Sequence, residues 1–313
     1  MILYLALLFA FVSPQESPSY KVEAQFVKVP VTVLDETGRS IMGLGRDDFR
    51  LLDEGQERRI ENFVLDKSPV HVVFLLDVSG SIEEELNQIR NAVFRFAQAF
   101  DKEDRLAAIA FADEVRLLQD WTNKPKDLRK SLKKLERGYR TALYDALFMT
   151  AHDKLSQVKG KKVIILLTDG LDNESAENYE SVKDELIASN TVLYIVSRTQ
   201  LIRDKIEDSS RVKFLNSTLK NVLDESRSFV DIYFEGKEAA MRYLAEVNGG
   251  RTLFPPSLPA LGEAYLQIAR ELKTQYLLTF LPPEHSDTKF RNIEVLCNQE
   301  VGKIYHRQIY LAH

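Results

Sequence analysis

Cysteine is almost absent: the 313-residue chain has one, Cys297. That excludes an intramolecular disulfide framework and a cysteine-rich zinc site. Histidine is scarce as well. Five scattered residues (His71, His152, His285, His306, His313) without an HExxH spacing argue against a histidine-based metal centre. Positive charge is not in excess, since 42 Lys and Arg face 47 Asp and Glu for a formal charge of −5. The general attraction by which nucleic-acid and anionic-membrane binders work is therefore missing, and no nucleic-acid partner is expected. Also missing is any apolar run of the roughly 20 residues that a membrane-crossing helix needs. The nearest is MILYLALLFAFV at residues 1–12, broken by Pro14, Ser17 and Pro18. Its length matches the apolar core of an export signal, with a buried N-terminal strand or helix as the alternative. The expectation is a secreted or periplasmic protein whose mature chain has no integral membrane segment.

What is present is a chain with 44% apolar and 28% charged residues, enough to bury one large core or two ordinary ones. Tyr20, Val22, Ala24 and Phe26 alternate with polar positions. The phase then slips to Val27, Val29, Val31 and Val33, as at a bulge or a change of sheet face. Phe49–Leu52 and Ile60–Leu65, separated by Glu54-Gly55, read as a hairpin. From Pro69 the texture changes. Val70–Leu76, Lys162–Leu167 and Thr191–Val196 are continuous apolar runs, the pattern of strands covered on both faces. Helical spacing lies between them: Leu86, Ile89, Val93, Phe96 and Phe100 on one face, a Lys-rich helix near 125–137, and another from Thr141 to about Val158. Leu106–Phe111 and Val115–Trp121 suggest an edge hairpin. After a polar stretch at 199–228, Phe229–Phe234 reads as a strand, followed by helices at 237–247 and 259–274 around a short strand at 251–254. Alternating runs at 276–281, 290–297 and 303–311 close the chain. The predicted fold is α/β, a doubly wound and mostly parallel sheet inserted in a β-rich domain built from both chain ends. Boundaries follow at 1–19 (signal and leader), 20–67 (N-terminal β-rich module), 68–257 (α/β domain) and 258–313 (C-terminal helix and strands packing with 20–67).

The chemistry-bearing residues gather at the C-terminal ends of the buried strands. The first strand ends in Asp77-Val78-Ser79-Gly80-Ser81 and the second long one in Thr168-Asp169-Gly170, while Thr141 opens a helix between them. Ligands of open parallel sheets bind beyond those ends. Asp77, Ser79, Ser81, Thr141 and Asp169 offer only oxygen, which suits Mg²⁺, or Mn²⁺ or Ca²⁺, and suits Zn²⁺ poorly. Five groups leave room in an octahedral shell for an outside ligand. With two carboxylates the ion keeps enough charge to attract an acidic group from a partner.

The DxSxS at 77–81, the GxxTALYDAL setting of Thr141 and the LLTDG holding Asp169 resemble the metal-ion-dependent adhesion site (MIDAS) of von Willebrand factor type A domains. The resemblance covers roughly 68–255. It implies that Asp77, Ser79, Ser81 and Thr141 contact the metal, and Asp169 does so directly or through water. The segments VPVTVLDETGRSIMGLGRDDFRLLDEGQERRIENF (29–63), LAEVNGGRTLFPPS (244–257) and ELKTQYLLTFLPP (271–283) are similar to those of von Willebrand factor A-related proteins of Acidobacteria. Residues 199–236 are longer than the usual link there.

Each motif has a plainer reading. Ser81 with Glu84 fits a capping box, Thr141 an N-cap, and Asp169-Gly170 a turn. The basic residues of 124–140 read as a solvated helix face that steers acidic ligands at most. The function these signals predict is non-enzymatic: a divalent-cation-dependent, adhesion-type module that binds a protein presenting Asp or Glu. The alternative is a metal-dependent hydrolase or phosphotransferase, although no GxSxG elbow or P-loop is present.

Overall fold

The computed structural model describes residues 26–80, 83–207 and 229–312. The apolar run at 1–12, and with it the expected export signal, lies outside the described residues. The described residues open with β1 (Val27–Leu34), β2 (Phe49–Asp53), β3 (Gln56–Arg58) and β4 (Asn62–Leu65). It continues through β5 (Val70–Asp77), α1 (Glu83–Ala97), β6 (Arg105–Phe111), β7 (Val115–Thr122), α2 (Pro125–Ser131) and α3 (Leu143–Met149). Then come β8 (Lys161–Thr168), α4 (Tyr179–Ala188), β9 (Thr191–Ser197), α5 (Thr199–Glu207), α6 (Phe229–Val247) and β10 (Thr252–Leu253). The last elements are α7 (Leu261–Lys273), β11 (Tyr276–Phe280), β12 (Phe290–Cys297), β13 (Lys303–His306) and β14 (Ile309–Leu311).

The central sheet has the order β10-β9-β8-β5-β6-β7, parallel except for β7, which pairs antiparallel with β6 at the edge. Side chains alternate between the faces of a strand, so the uninterrupted apolar sequence of β5 feeds two cores. Val72, Phe74 and Leu76 pack with Ile89 and Phe96 of α1 and with Tyr265 and Ile268 of α7. Val73 and Leu75 pack with Leu147 of α3, Leu186 of α4 and Leu244 of α6. Helices on both faces are the reason a strand without polar alternation is stable here.

The two chain ends form a pair of antiparallel sheets, β13-β1-β11-β4 and β14-β12-β2-β3. Val29, Val31 and Val33 from the beginning of the chain share one core with Leu51, Leu278, Phe280, Ile293 and Val295. The α/β domain is thus inserted between β4 and β11, and these two strands pair directly, Leu65 opposite Tyr276. The predicted fold class is the observed one.

Three local expectations fail for identifiable reasons. Phe49–Leu52 hairpins with the short β3 through a turn in which Glu54 and Gly55 take positive φ, and Asn62–Leu65 crosses to the other sheet beside β11. Phe229–Phe234 is the first part of α6. Its apparent alternation conceals a helical face in which Val230, Phe234, Met241 and Leu244 are buried while Ile232 and Tyr233 are exposed. The helix expected from Thr141 begins only at Leu143 and widens into a π-helical turn at Thr150–Leu155. There the Thr150 hydroxyl donates to the Ala146 carbonyl at 2.7 Å.

Candidate functional site

Three loops meet at the C-terminal ends of β5 and β8, tied to one another mainly by backbone. Gly138 N donates to the Val78 carbonyl and Gly80 N to the Gly138 carbonyl, both at 3.2 Å. This fastens the loop before α3 onto the loop after β5. Thr141 N donates to Asn173 Oδ1 at 2.9 Å, and Asn173 N donates to the Thr141 carbonyl at 3.0 Å. That fastens it to the loop after β8. The approach requires glycine at 138, where a Cβ would stand 2.0 Å from that of Ala112.

Asp77 is completely buried. Its Oδ1 accepts from the Ser79 backbone N at 3.0 Å and the Ser79 hydroxyl at 2.5 Å, and its Oδ2 accepts from the Thr168 hydroxyl at 2.8 Å. Asp169, also buried, accepts from Leu171 N at 3.0 Å. Ser81 lies outside the described residues. Burial pushes the Asp77 carboxyl above the usual carboxylate range, and Asp169 adds to the push, while an arginine and the two hydroxyls oppose it.

Thr141 is not an N-cap. The cap position of α3 belongs to Ala142. Asp172 Oδ1 accepts from Leu143 N at 2.9 Å, and the Ser175 hydroxyl accepts from Tyr144 N at 3.0 Å and Asp145 N at 3.2 Å. These residues satisfy the helix terminus from across the loop. The Thr141 hydroxyl is consequently left without a hydrogen bond among the described residues, although the residue is only 3% exposed. Asp113 completes the frame by accepting from Tyr139 N at 3.0 Å and Arg140 N at 3.1 Å. No spacing in the sequence marked Asp172, Asn173, Ser175 or Asp113, because each acts on a segment about 26 or more residues away along the chain.

The residue that sequence reasoning missed altogether is Arg198, directly after β9 and 2% exposed. Its Nη1 donates to Glu85 Oε1 at 2.8 Å, and its Nη2 lies 3.5 Å from Asp77 Oδ2 and 3.8 Å from Asp169 Oδ2. Buried beside three carboxylates, the guanidinium is held above its ordinary range in spite of desolvation. The only sequence signal was its place at the end of a buried strand. Formal charge is instructive here. Counted as ionised, Asp77, Asp169 and Glu85 carry three negative charges, and among the described residues Arg198 is the one cation paired with them, which leaves a formal excess of two.

A hard divalent cation fits such a set, with two carboxylates, hydroxyls, one of them unused, and a local deficit of two positive charges. Among the described residues there is no group of three or more His, Cys, Asp or Glu able to hold a metal. A site of this kind is built mainly from hydroxyls and does not need one.

The family model for the von Willebrand factor type A domain matches residues 71–231. This chain belongs to that family. No curated protein matches it. Proximal thread matrix protein 1 from the mussel byssus is similar at 17% identity and a TM-score of 0.44, over 72% of this chain and 50% of that one. A structure of the same protein with a zinc-occupied MIDAS motif gives 16% and 0.46 over the same shares. An aerotolerance-related membrane protein from Bacteroides fragilis NCTC 9343 gives 16% and 0.44, over 64% of this chain and 99% of that one. The chain spans about half the length of the mussel protein.

Proposed function

We propose that this chain is a divalent-cation-dependent protein-binding module of an exported protein. In this reading Asp77, Ser79, Ser81, Thr141 and Asp169 hold Mg²⁺, or Mn²⁺ or Ca²⁺. The observation that carries it is the excess of negative charge at Asp77 and Asp169 among the described residues, together with a buried Thr141 hydroxyl that has no hydrogen bond there, on three loops hydrogen-bonded to one another. Bound there, the ion supplies a Lewis-acidic point for a carboxylate oxygen, and the ligand class is an Asp or Glu side chain of a partner protein. Ser79 and Thr168 hold Asp77 in one orientation by hydrogen bonds. Arg198 balances part of the carboxylate charge from within, so the cation is not fully neutralised and keeps its pull on an incoming anion.

The test is thermal unfolding in EDTA and in millimolar Mg²⁺ or Mn²⁺. A ligand present at a hundredfold its Kd stabilises the folded state by about 2.7 kcal/mol, which shifts Tm by roughly 5–10 °C for a domain of this size. The natural chain should show this rise and Asp77→Ala should lose it. Thr141→Val removes a hydroxyl without a hydrogen bond among the described residues, so it should leave stability in EDTA unchanged and blunt the response to metal. Equal responses in all three proteins overturn the assignment. A pull-down from envelope or culture fractions, with and without EDTA, then tests the partner class. Generic esterase and phosphatase substrates test the hydrolase alternative.

A further inference from the structure

At the opposite end of the central sheet, a cleft of about 370 Å³ separates the inserted domain from the sheets of the chain ends. It lies between the N-terminal ends of β8 and β9 on one side and β1, β11 and β14 on the other. Among the described residues four cationic ones line it, Lys28, Lys161, Lys162 and Arg307, and the one carboxylate in its walls is Asp66. Asp66 is already matched by Lys161 at 3.0 Å, with both side chains buried. Lys162 and Arg307 are left without a counter-charge among the described residues.

Arg307 is the unusual member. It is 3% exposed, and one guanidinium N–H donates to Asn190 Oδ1 while Nε finds no acceptor among the described residues. Burial pushes it down to about 10, with no acidic neighbour among the described residues opposing the shift. The same guanidinium helps burial depress Lys162. Lys162 Nζ donates to the Ser156 carbonyl at 3.2 Å and the Ser189 carbonyl at 3.0 Å, which leaves one of its three N–H groups to spare. The placement of Arg307 is enforced by the backbone. Gln308 N donates to the Val247 carbonyl at 3.1 Å, and Arg307 N approaches Gly249 so closely that a Cβ there would lie 2.9 Å away. A buried cation without a partner is costly, and anions cancel that cost.

We propose that this cleft binds a small organic carboxylate, its carboxylate taken by Arg307 and Lys162 and its apolar body resting on Val192, Leu277 and Tyr310. A guanidinium fork suits a planar carboxylate. The apolar walls favour an organic body over a bare inorganic anion, and the volume exceeds what inorganic phosphate would fill.

The test is calorimetric titration of the full chain in a low-chloride zwitterionic buffer with three probes: benzoate, neutral benzamide and inorganic phosphate. Benzoate should bind with a defined stoichiometry and more tightly than phosphate, and benzamide should not bind. Arg307→Met should weaken benzoate at least about tenfold, Lys162→Met should weaken it less, and Thr141→Val should leave it unchanged. In anion-free buffer Arg307→Met should be no less stable than the natural chain, whereas an arginine with a purely structural role would destabilise on removal. Should Arg307→Met fail to fold, Lys162→Met carries the binding test. Absence of benzoate binding, equal binding of benzamide, tighter binding of phosphate, or unchanged affinity in a folded Arg307→Met each overturns the proposal.

Discussion

Replacing Arg198 by methionine separates the charge argument at the strand-end site from every other account of it. Methionine keeps the aliphatic stem and removes the charged guanidinium head. Arg198 faces Glu85 at 2.8 Å, Asp77 at 3.5 Å and Asp169 at 3.8 Å. At an effective dielectric near 20, each of these pairs is worth roughly 4–6 kcal/mol before desolvation is subtracted. The guanidinium and carboxylates give back most of that on leaving water. Breaking such a buried cluster from one side costs about 3–5 kcal/mol, because the remaining charges lose their counter-ion. In EDTA the variant should therefore melt roughly 10 °C or more below the natural chain. A divalent cation compensates Asp77 and Asp169 as well, so saturating Mg²⁺ should return part of the loss and the Mg²⁺-dependent rise in Tm should be larger in the variant. By linkage, each tenfold gain in Mg²⁺ affinity narrows the stability gap by about 1.4 kcal/mol. Urea unfolding in EDTA and in Mg²⁺, with direct titration of the metal, measures both quantities. If the variant is as stable as the natural chain in EDTA, Arg198 is not holding the carboxylates. A response to Mg²⁺ that is no larger than the natural chain's refutes the shared-charge reasoning.

Gly138→Ala must push the loop away from Ala112, so it should cost about 1–3 kcal/mol and diminish the metal-dependent rise in Tm; an unchanged response would show that the loop approach is not needed. His306 accepts from Val295 N at Nε2 and donates from Nδ1 to the Arg307 carbonyl, and burial holds it below the ordinary imidazole range. As pH falls below about 6.5 the unfolded chain takes up a proton that the folded chain resists, so stability present at neutral pH is lost with acid. Urea midpoints between about pH 7 and pH 5 should fall for the natural chain and fall less steeply for His306→Gln. Leu278→Ala opens a hole in the core shared by the chain ends, and denaturant unfolding should register a loss of about 2–5 kcal/mol.

The central sheet was legible because β5, β8 and β9 need no polar alternation when helices cover both faces, and that leaves a plain mark in the sequence. The convergence of the loops at residues 77–80, 138–141 and 168–175 followed from the general rule about strand ends. Arg198 was not legible, since its partners Glu85 and Asp77 are far away along the chain and no spacing links them. The pairing of residues 51–53 with 56–58 was obscured because a three-residue strand has too little pattern to compete with the longer apolar run at 60–65. Phe229–Phe234 misled because alternation over six residues also fits one and a half turns of helix when Val230 and Phe234 are the buried pair.

The direct pairing of β4 with β11 makes the inserted domain a clasp for its host. Residues 65 and 276 can meet cheaply once everything between them has collapsed into a compact body, and only at a large loop-closure cost before that. During synthesis β1 and β4 wait, edges unprotected, until the insert has folded and delivered β11 between them. Amides of β5 and β8 should accordingly gain protection from exchange before those of β1 and β11. Any change that loosens the insert also unfastens the sandwich that carries it.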